Sequence, residues 1–147
     1  MSCTLIFSAK NFDVDAVLAM LSFKTSFVWK QGELPNSRIK RQAFSESGFV
    51  TIASEADFDS FKQQAFDVID FVKTNRQELY ILRDLNNCLE EADLHFDFGL
   101  NTRMFKVVAQ VDHLPAELIK LCAELGAGIK ISQYPPSNDE EGYESED

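Results

Sequence analysis

Ala92-Asp93-Leu94-His95-Phe96-Asp97-Phe98 alternates without a break between apolar and polar side chains. A period of two belongs to a β-strand, in which successive side chains point to opposite faces. Leu94, Phe96 and Phe98 then share a dry face, and Asp93, His95 and Asp97 the face behind it. Strands buried on both sides in parallel sheets read as near-continuous apolar runs, so this one predicts a sheet covered on one side only. The class that follows is α+β, a mostly antiparallel sheet with helices packed on one face.

Working outward, Leu114-Pro115 opens a helix whose Leu118, Leu121, Cys122 and Leu125 form one stripe, and Gly126 suits the left-handed residue that ends it. A short strand through Ile129 and Ile131 follows, and Pro135-Pro136 stops it. On the other side, Phe58, Phe61, Ala65, Val68 and Val72 recur at helical spacing. Thr74-Asn75-Arg76-Gln77 matches a capping box, which predicts a second helix carrying Leu79, Leu82 and Leu85 and ending at Asn86-Asn87. Earlier still, Cys3–Ser8 reads as a strand, Asp13 as the cap of a short helix bearing Val14, Leu18 and Leu21, and Phe27–Trp29 as a strand. Gly32–Ser37 is a turn, and Lys40–Phe44 and Gly48–Ala53 read as a hairpin joined by Ser45-Glu46-Ser47. After a turn at Gly99–Thr102, Phe105–Val111 is expected to be one more strand. The whole is expected to form a single domain over 1–134, with an acidic disordered tail over 135–147.

Thirteen Phe and 45% hydrophobic residues supply ample core material for 147 residues. No apolar run approaches the ~18 residues of a membrane span, and the opening Met1–Phe7 stretch lacks the basic start of a secretory signal. Cys3, Cys88 and Cys122 are odd in number and far apart, which fits a reducing, cytoplasmic setting. The net charge is −10, and six acids of the last eleven residues account for more than half of it, leaving 14 bases against 18 acids. Asp84, Glu90, Glu91, Asp93 and Asp97 form a second acid-only interval, while Lys24, Lys30, Arg38, Lys40 and Arg41 share a stretch whose one acid is Glu33. Overall acidity disfavours nucleic acid, whose phosphates demand bases. It suits a basic protein partner, whose encounter opposite charge accelerates, or serves solubility alone.

The Asp93-His95-Asp97 face is the sharpest chemical pattern. Neighbours on it lie about 6.6 Å apart, close enough for an Asp/His pair to bridge an ion, but three in line do not easily surround one. The competing reading is a solvated strand face. His113 stands before a helix with no nucleophile motif beside it, and Cys122 reads as a small core hydrophobe. Phosphate loops, dinucleotide-binding glycines, paired CxxC motifs and nucleophile elbows are absent from the sequence, so neither enzyme nor cofactor chemistry is promoted. Trp29, the one tryptophan, sits beside Lys30 and a glycine turn, material for either a binding hot spot or the edge of a core.

Thr25-Ser26-Phe27-Val28-Trp29-Lys30-Gln31-Gly32-Glu33 together with Leu121-Cys122-Ala123-Glu124-Leu125-Gly126-Ala127-Gly128-Ile129-Lys130-Ile131-Ser132-Gln133-Tyr134 resembles a bacterial domain-of-unknown-function family of small stand-alone proteins. The likeness spans residues 3–134. Phe49 stands where the family leads one to expect Trp, and the 139–147 tail is additional. Some members are suspected immunity proteins that neutralise polymorphic or contact-dependent toxins. The resemblance implies a non-enzymatic protein-binding domain and carries over no catalytic residue. Its partner would be a toxin domain, and charge complementarity makes that partner basic. Glu90, Glu91, Asp93, Asp97 and Trp29 are the expected partner-binding residues. A metal- or carboxylate-dependent enzyme using Asp93, His95 and Asp97, or a small-ligand regulatory module, is the alternative.

Overall fold

Strand β1 (Cys3–Ala9) lies at the centre of the sheet, and its side chains show why. Cys3, Leu5 and Phe7 on one face are fully buried, while Thr4 and Ile6 on the other are only half-buried. The computed structural model describes residues 1–36, 42–104 and 107–135. Within them β1 is followed by α1 (Val14–Leu18), β2 (Thr25–Trp29), β3 (Ser47–Ser54), α2 (Phe61–Thr74), α3 (Arg76–Cys88), β4 (Asp93–Asn101), α4 (Ala116–Leu125) and β5 (Gly128–Tyr134). The strand order is β2-β3-β1-β4-β5. Every neighbouring pair is antiparallel except β4 and β5, which run parallel and are joined through α4, the crossover that parallel strands require.

The expected α+β architecture is present, and register explains the one-sided cover. Leu5 stands opposite Phe96, Phe7 opposite both Leu94 and Phe49, and Cys3 opposite Phe98. These residues form a continuous apolar sheet face on which the helices lie. Phe71 and Phe61 of α2 meet Phe96 and Phe98 edge-on or tilted at 6.4 and 5.3 Å, and Phe12, just before α1, meets Phe7 at 5.5 Å. Leu79 and Leu82 of α3 and Leu118, Leu121, Cys122 and Leu125 of α4 complete the same core. Each such side chain contributes about 1.5–3 kcal/mol on leaving water. Gly126 ends α4 at φ +64°, and the Ala127 N–H donates to Cys122 O at 2.8 Å, the helix stop expected of it.

Several local expectations are corrected. Phe58 lies before α2, not in it, and its ring fills the space over Gly99. That contact is what Gly99 serves: β4 runs straight through it to Asn101, so there is no turn at Gly99. The capping box does not form, because Thr74 is still inside α2 and Asn75 alone separates the two helices, its side-chain amide donating to Phe71 O at 2.9 Å. Helix α3 continues past Asn86-Asn87 to Cys88, which ends it. Of the expected strand over 105–111, residues 107–111 are irregular and residues 105–106 lie outside the described residues. Val108 and Val111 are almost wholly exposed, and an apolar run with no sheet neighbour gains nothing by extending. The hairpin over 40–53 is also replaced. Lys40 and Arg41 lie outside the described residues, residues 42–44 are not strand, and β3 pairs with β2 and β1. Phe44 exchanges backbone hydrogen bonds of 2.9 Å with Gly32 and Glu33, so it closes the β2–β3 connection. The tail expected to be disordered falls, but for Pro135, outside the described residues.

Candidate functional site

Antiparallel pairing brings the end of β1, the end of β2 and the starts of β3 and β4 to one end of the sheet, since Ala9 pairs with Ser47, Trp29 with Gly48 and Ser8 with Asp93. The connections after β1 and β2 and before β4 meet there and are tied together by polar side chains. The Lys10 N–H donates to Glu90 O at 2.9 Å, and Lys10 Nζ reaches Glu91 at 2.8 Å. Asn11 Nδ2 donates to Glu90 Oε2 at 3.0 Å, and its backbone N–H donates to Gln31 Oε1 at 2.9 Å. Gln31 returns its amide to Asn11 Oδ1 at 3.3 Å and gives its own N–H to Ser47 Oγ at 2.9 Å. Nearby, Lys30 pairs with Asp15 at 2.6 Å. Donation to the Glu91 and Asp15 carboxylates raises the pKa values of the Lys10 and Lys30 ammonium groups above their ordinary range.

Asn11 and Glu91 are the two described non-glycine residues with positive φ, at 57° and 49°. Both sit in this network. Such conformations cost about 1–3 kcal/mol each and persist where surrounding contacts over-determine them, often at functional sites. A hollow of about 710 Å³ opens beside the network between Asn11, Asp13, Asp15, Lys30 and Gln31.

The uncovered sheet face begins at the same end. Trp29 lies over Gly48, stacks on Phe27 at 5.9 Å and meets Phe44 at 6.3 Å. Phe27 is 57% exposed, a large apolar group in water. Half-buried Val50, Ile52 and Ile6 continue the face toward β4. There the expected solvated polar row is more ordered than a wet surface would be. His95 Nδ1 lies 2.6 Å from Asp93, and Asp97 accepts from Ser132 Oγ at 2.7 Å with Lys130 3.6 Å away. The His95 and Asp97 side chains are only 17% and 19% exposed.

Trp29, Glu90, Glu91 and Asp93 therefore stand at the same end of the sheet, where Gln31 and Asn11 link the Trp29 segment to Glu90, while β3 and β1, about 14 Å in all, lie between Trp29 and Asp93. Asp97 is not with them: it lies four residues along β4, about 13 Å away, and faces β5. Asp93, His95 and Asp97 do not converge either, and among the described residues no three His, Cys, Asp or Glu side chains could hold a metal ion. Asp93 fixes the imidazole of His95, but His95 Nε2 is buried with no hydrogen-bond partner among the described residues, and the hydroxyl of Ser132 is engaged by Asp97. His113 is exposed in the loop before α4. No family model, curated protein or solved structure matches this chain.

Sequence reasoning missed Lys10, Asn11 and Gln31, which join the two expected segments. The one available signal was Asn11 itself, since asparagine tolerates left-handed backbone and stands directly after a strand. Burial separates the three thiols: Cys3 and Cys122 are in the core and Cys88 is exposed. Loss of solvation raises the Cys3 thiol and pushes Cys122 up to about 11. No helix among the described residues is long and apolar enough to cross a membrane.

Proposed function

We propose that this chain is a non-catalytic protein-binding domain, and most concretely a cytoplasmic bacterial immunity protein that binds and occludes a basic toxin domain. What supports the reading is one placement: the aromatic group Phe27, Trp29 and Phe44 and the acids Glu90, Glu91 and Asp93 stand toward the same end of the sheet, where Gln31–Asn11–Glu90 hydrogen bonds join the two segments. An aromatic anchor with charge at its rim is the usual anatomy of a protein interface. The two parts would do different work. Trp29 and Phe27 would bury apolar surface and slow dissociation, whereas the carboxylates would steer a basic partner and set the association rate.

The test is a binding measurement against the product of a toxin-like gene neighbouring this one. Replacing Glu90 and Glu91 by Lys would slow association and flatten its dependence on salt, because steering is screened beyond about 8 Å at physiological ionic strength. Both carboxylates are exposed, so the variant would lose their bonds to Lys10 and Asn11 and leave the core intact, which a melting curve checks. Trp29→Ala would instead raise the dissociation rate. Unchanged kinetics in both variants, or a neighbouring toxin that the protein neither binds nor neutralises, would overturn the proposal.

A further inference from the structure

A cleft of about 730 Å³ lies at the opposite end of the sheet from Trp29 and Glu90. It exists because β2 is shorter than β3. The pairing of β2 with β3 stops at Thr25 and Thr51, while β3 continues to Ser54 with β1 on one side and, among the described residues, no strand on the other. Phe23 and Lys24, on the approach to β2, and Asp67 and Phe71, on α2, close the space that a longer β2 would have filled.

The lining is amphipathic in a particular sense. Phe23 and Phe71 meet at 5.5 Å and make an aromatic wall. Asp67 sits at the polar side, accepting from Ser54 Oγ at 2.6 Å and Gln63 Nε2 at 2.7 Å. An ionised carboxylate has about four lone-pair sites, so two such bonds leave it able to accept more. Glu55 adds a second carboxylate at the rim. A smaller hollow of about 300 Å³ continues from Ala53, Asp67 and Phe71 to Asp70. Among the described residues, three carboxylates thus line the cleft and its extension against one lysine, Lys24. Thr51 also lines the cleft. It is 1% exposed, yet among the described residues its hydroxyl has no hydrogen-bond partner, an arrangement that costs stability unless something else satisfies it.

From this cleft we infer a binding site for a small organic cation, an amine or guanidinium carried on an apolar body. The volume is that of a small-molecule pocket, for which about 300–1,000 Å³ is usual. The aromatic wall takes the apolar body and also attracts a cation through the faces of its rings. Asp67 supplies a charge-assisted hydrogen bond, and the Thr51 hydroxyl a further polar contact. Anions of the same shape are repelled by the same carboxylates. The site is separate from the proposed partner surface, and neither depends on the other.

The test is titration of the isotope-labelled full-length protein with phenethylamine, followed by amide NMR, with phenylacetate as the same body carrying the opposite charge. The expected result is saturable shifts centred on Thr51, Ala53, Ser54, Asp67 and Phe71, with phenylacetate weaker by about tenfold or more, the equivalent of ~1.4 kcal/mol. Asp67→Asn is expected to weaken phenethylamine by a similar factor. Should that variant lose its dispersed spectrum, the exposed pair Glu55→Gln and Asp70→Asn reads the same charge dependence, with a loss of about threefold, as befits solvent-screened groups. No saturable shift at millimolar amine, shifts scattered over other surfaces, or equal binding of phenylacetate would overturn the assignment. So would unaltered affinity in the folded variants.

Discussion

The indole of Trp29 occupies the space that a side chain at Gly48 would need. The two residues are paired across β2 and β3, and a β-carbon at position 48 would meet the ring and also approach Phe7 O to 2.6 Å. The placement of the chain's one tryptophan therefore depends on a glycine nineteen residues later. Gly48→Ala is expected to displace the ring and destabilise the protein by about 1–3 kcal/mol, as overpacking does. Fluorescence emission should move to longer wavelength as the indole gains water. Unchanged melting temperature and emission would show that the ring does not need the glycine.

Gln64 is 0% exposed, although it lies on the helix face that buries Phe61, Ala65 and Val68. Its amide donates to Gly99 O at 2.9 Å and to Asp57 O at 3.2 Å, tying β4 to the segment that leads into α2. Gln64→Leu keeps the bulk but leaves those carbonyls short of a donor, and a cost of about 1–3 kcal/mol is expected. Urea unfolding reads it as a lower midpoint at unchanged slope. A midpoint equal to wild type would mean that the two carbonyls find other donors.

Thiol chemistry should divide the cysteines. Cys88 is exposed at the end of α3, while Cys3 and Cys122 are buried, out of a reagent's reach, and loss of solvation raises their thiols further above neutral pH. A thiol reagent that attacks the thiolate is expected to label one site rapidly in the native protein and three after denaturation. Rapid native labelling of Cys122 would place α4 away from the core.

Glu78 accepts from the Ser22 N–H at 3.0 Å and from Ser22 Oγ at 2.5 Å, and these bonds hold its carboxyl below the ordinary 4.5. A carboxyl whose folded pKa is depressed stabilises the fold above its unfolded pKa. That contribution is expected to be complete above about pH 4.5 and to disappear as pH falls through the lower folded value. Glu78→Gln should therefore be less stable than wild type at pH 7, with the gap narrowing below pH 4.5. A gap that stays constant across that range would remove the ionised carboxylate from the account.

The periodic segments were legible in the sequence because each is decided by its neighbours in the chain. The alternation from Ala92 to Phe98, the stripe from Phe61 to Val72 and the glycine stop after Leu125 each carry their own geometry. The failures have a shared cause. Val107–Val111 has strand composition but, among the described residues, no strand that pairs with it, and the 74–77 capping pattern falls where α2 has not yet ended. Pattern gives a preference, and pairing or packing elsewhere decides whether it is used.

By itself the sequence determined that there would be a one-sided sheet with helices on its apolar face, since alternation and helical stripes are local properties of the chain. Tertiary structure alone decided that β5 runs parallel to β4 and that β2 stops short of the end of β3, leaving a cleft. It also decided that Trp29 and Glu90, sixty-one residues apart, stand at one end of the sheet, their segments joined through Gln31 and Asn11. These outcomes depend on strand order and register, which are set by contacts between residues distant in sequence. Periodicity says which way a side chain points, not what stands opposite it.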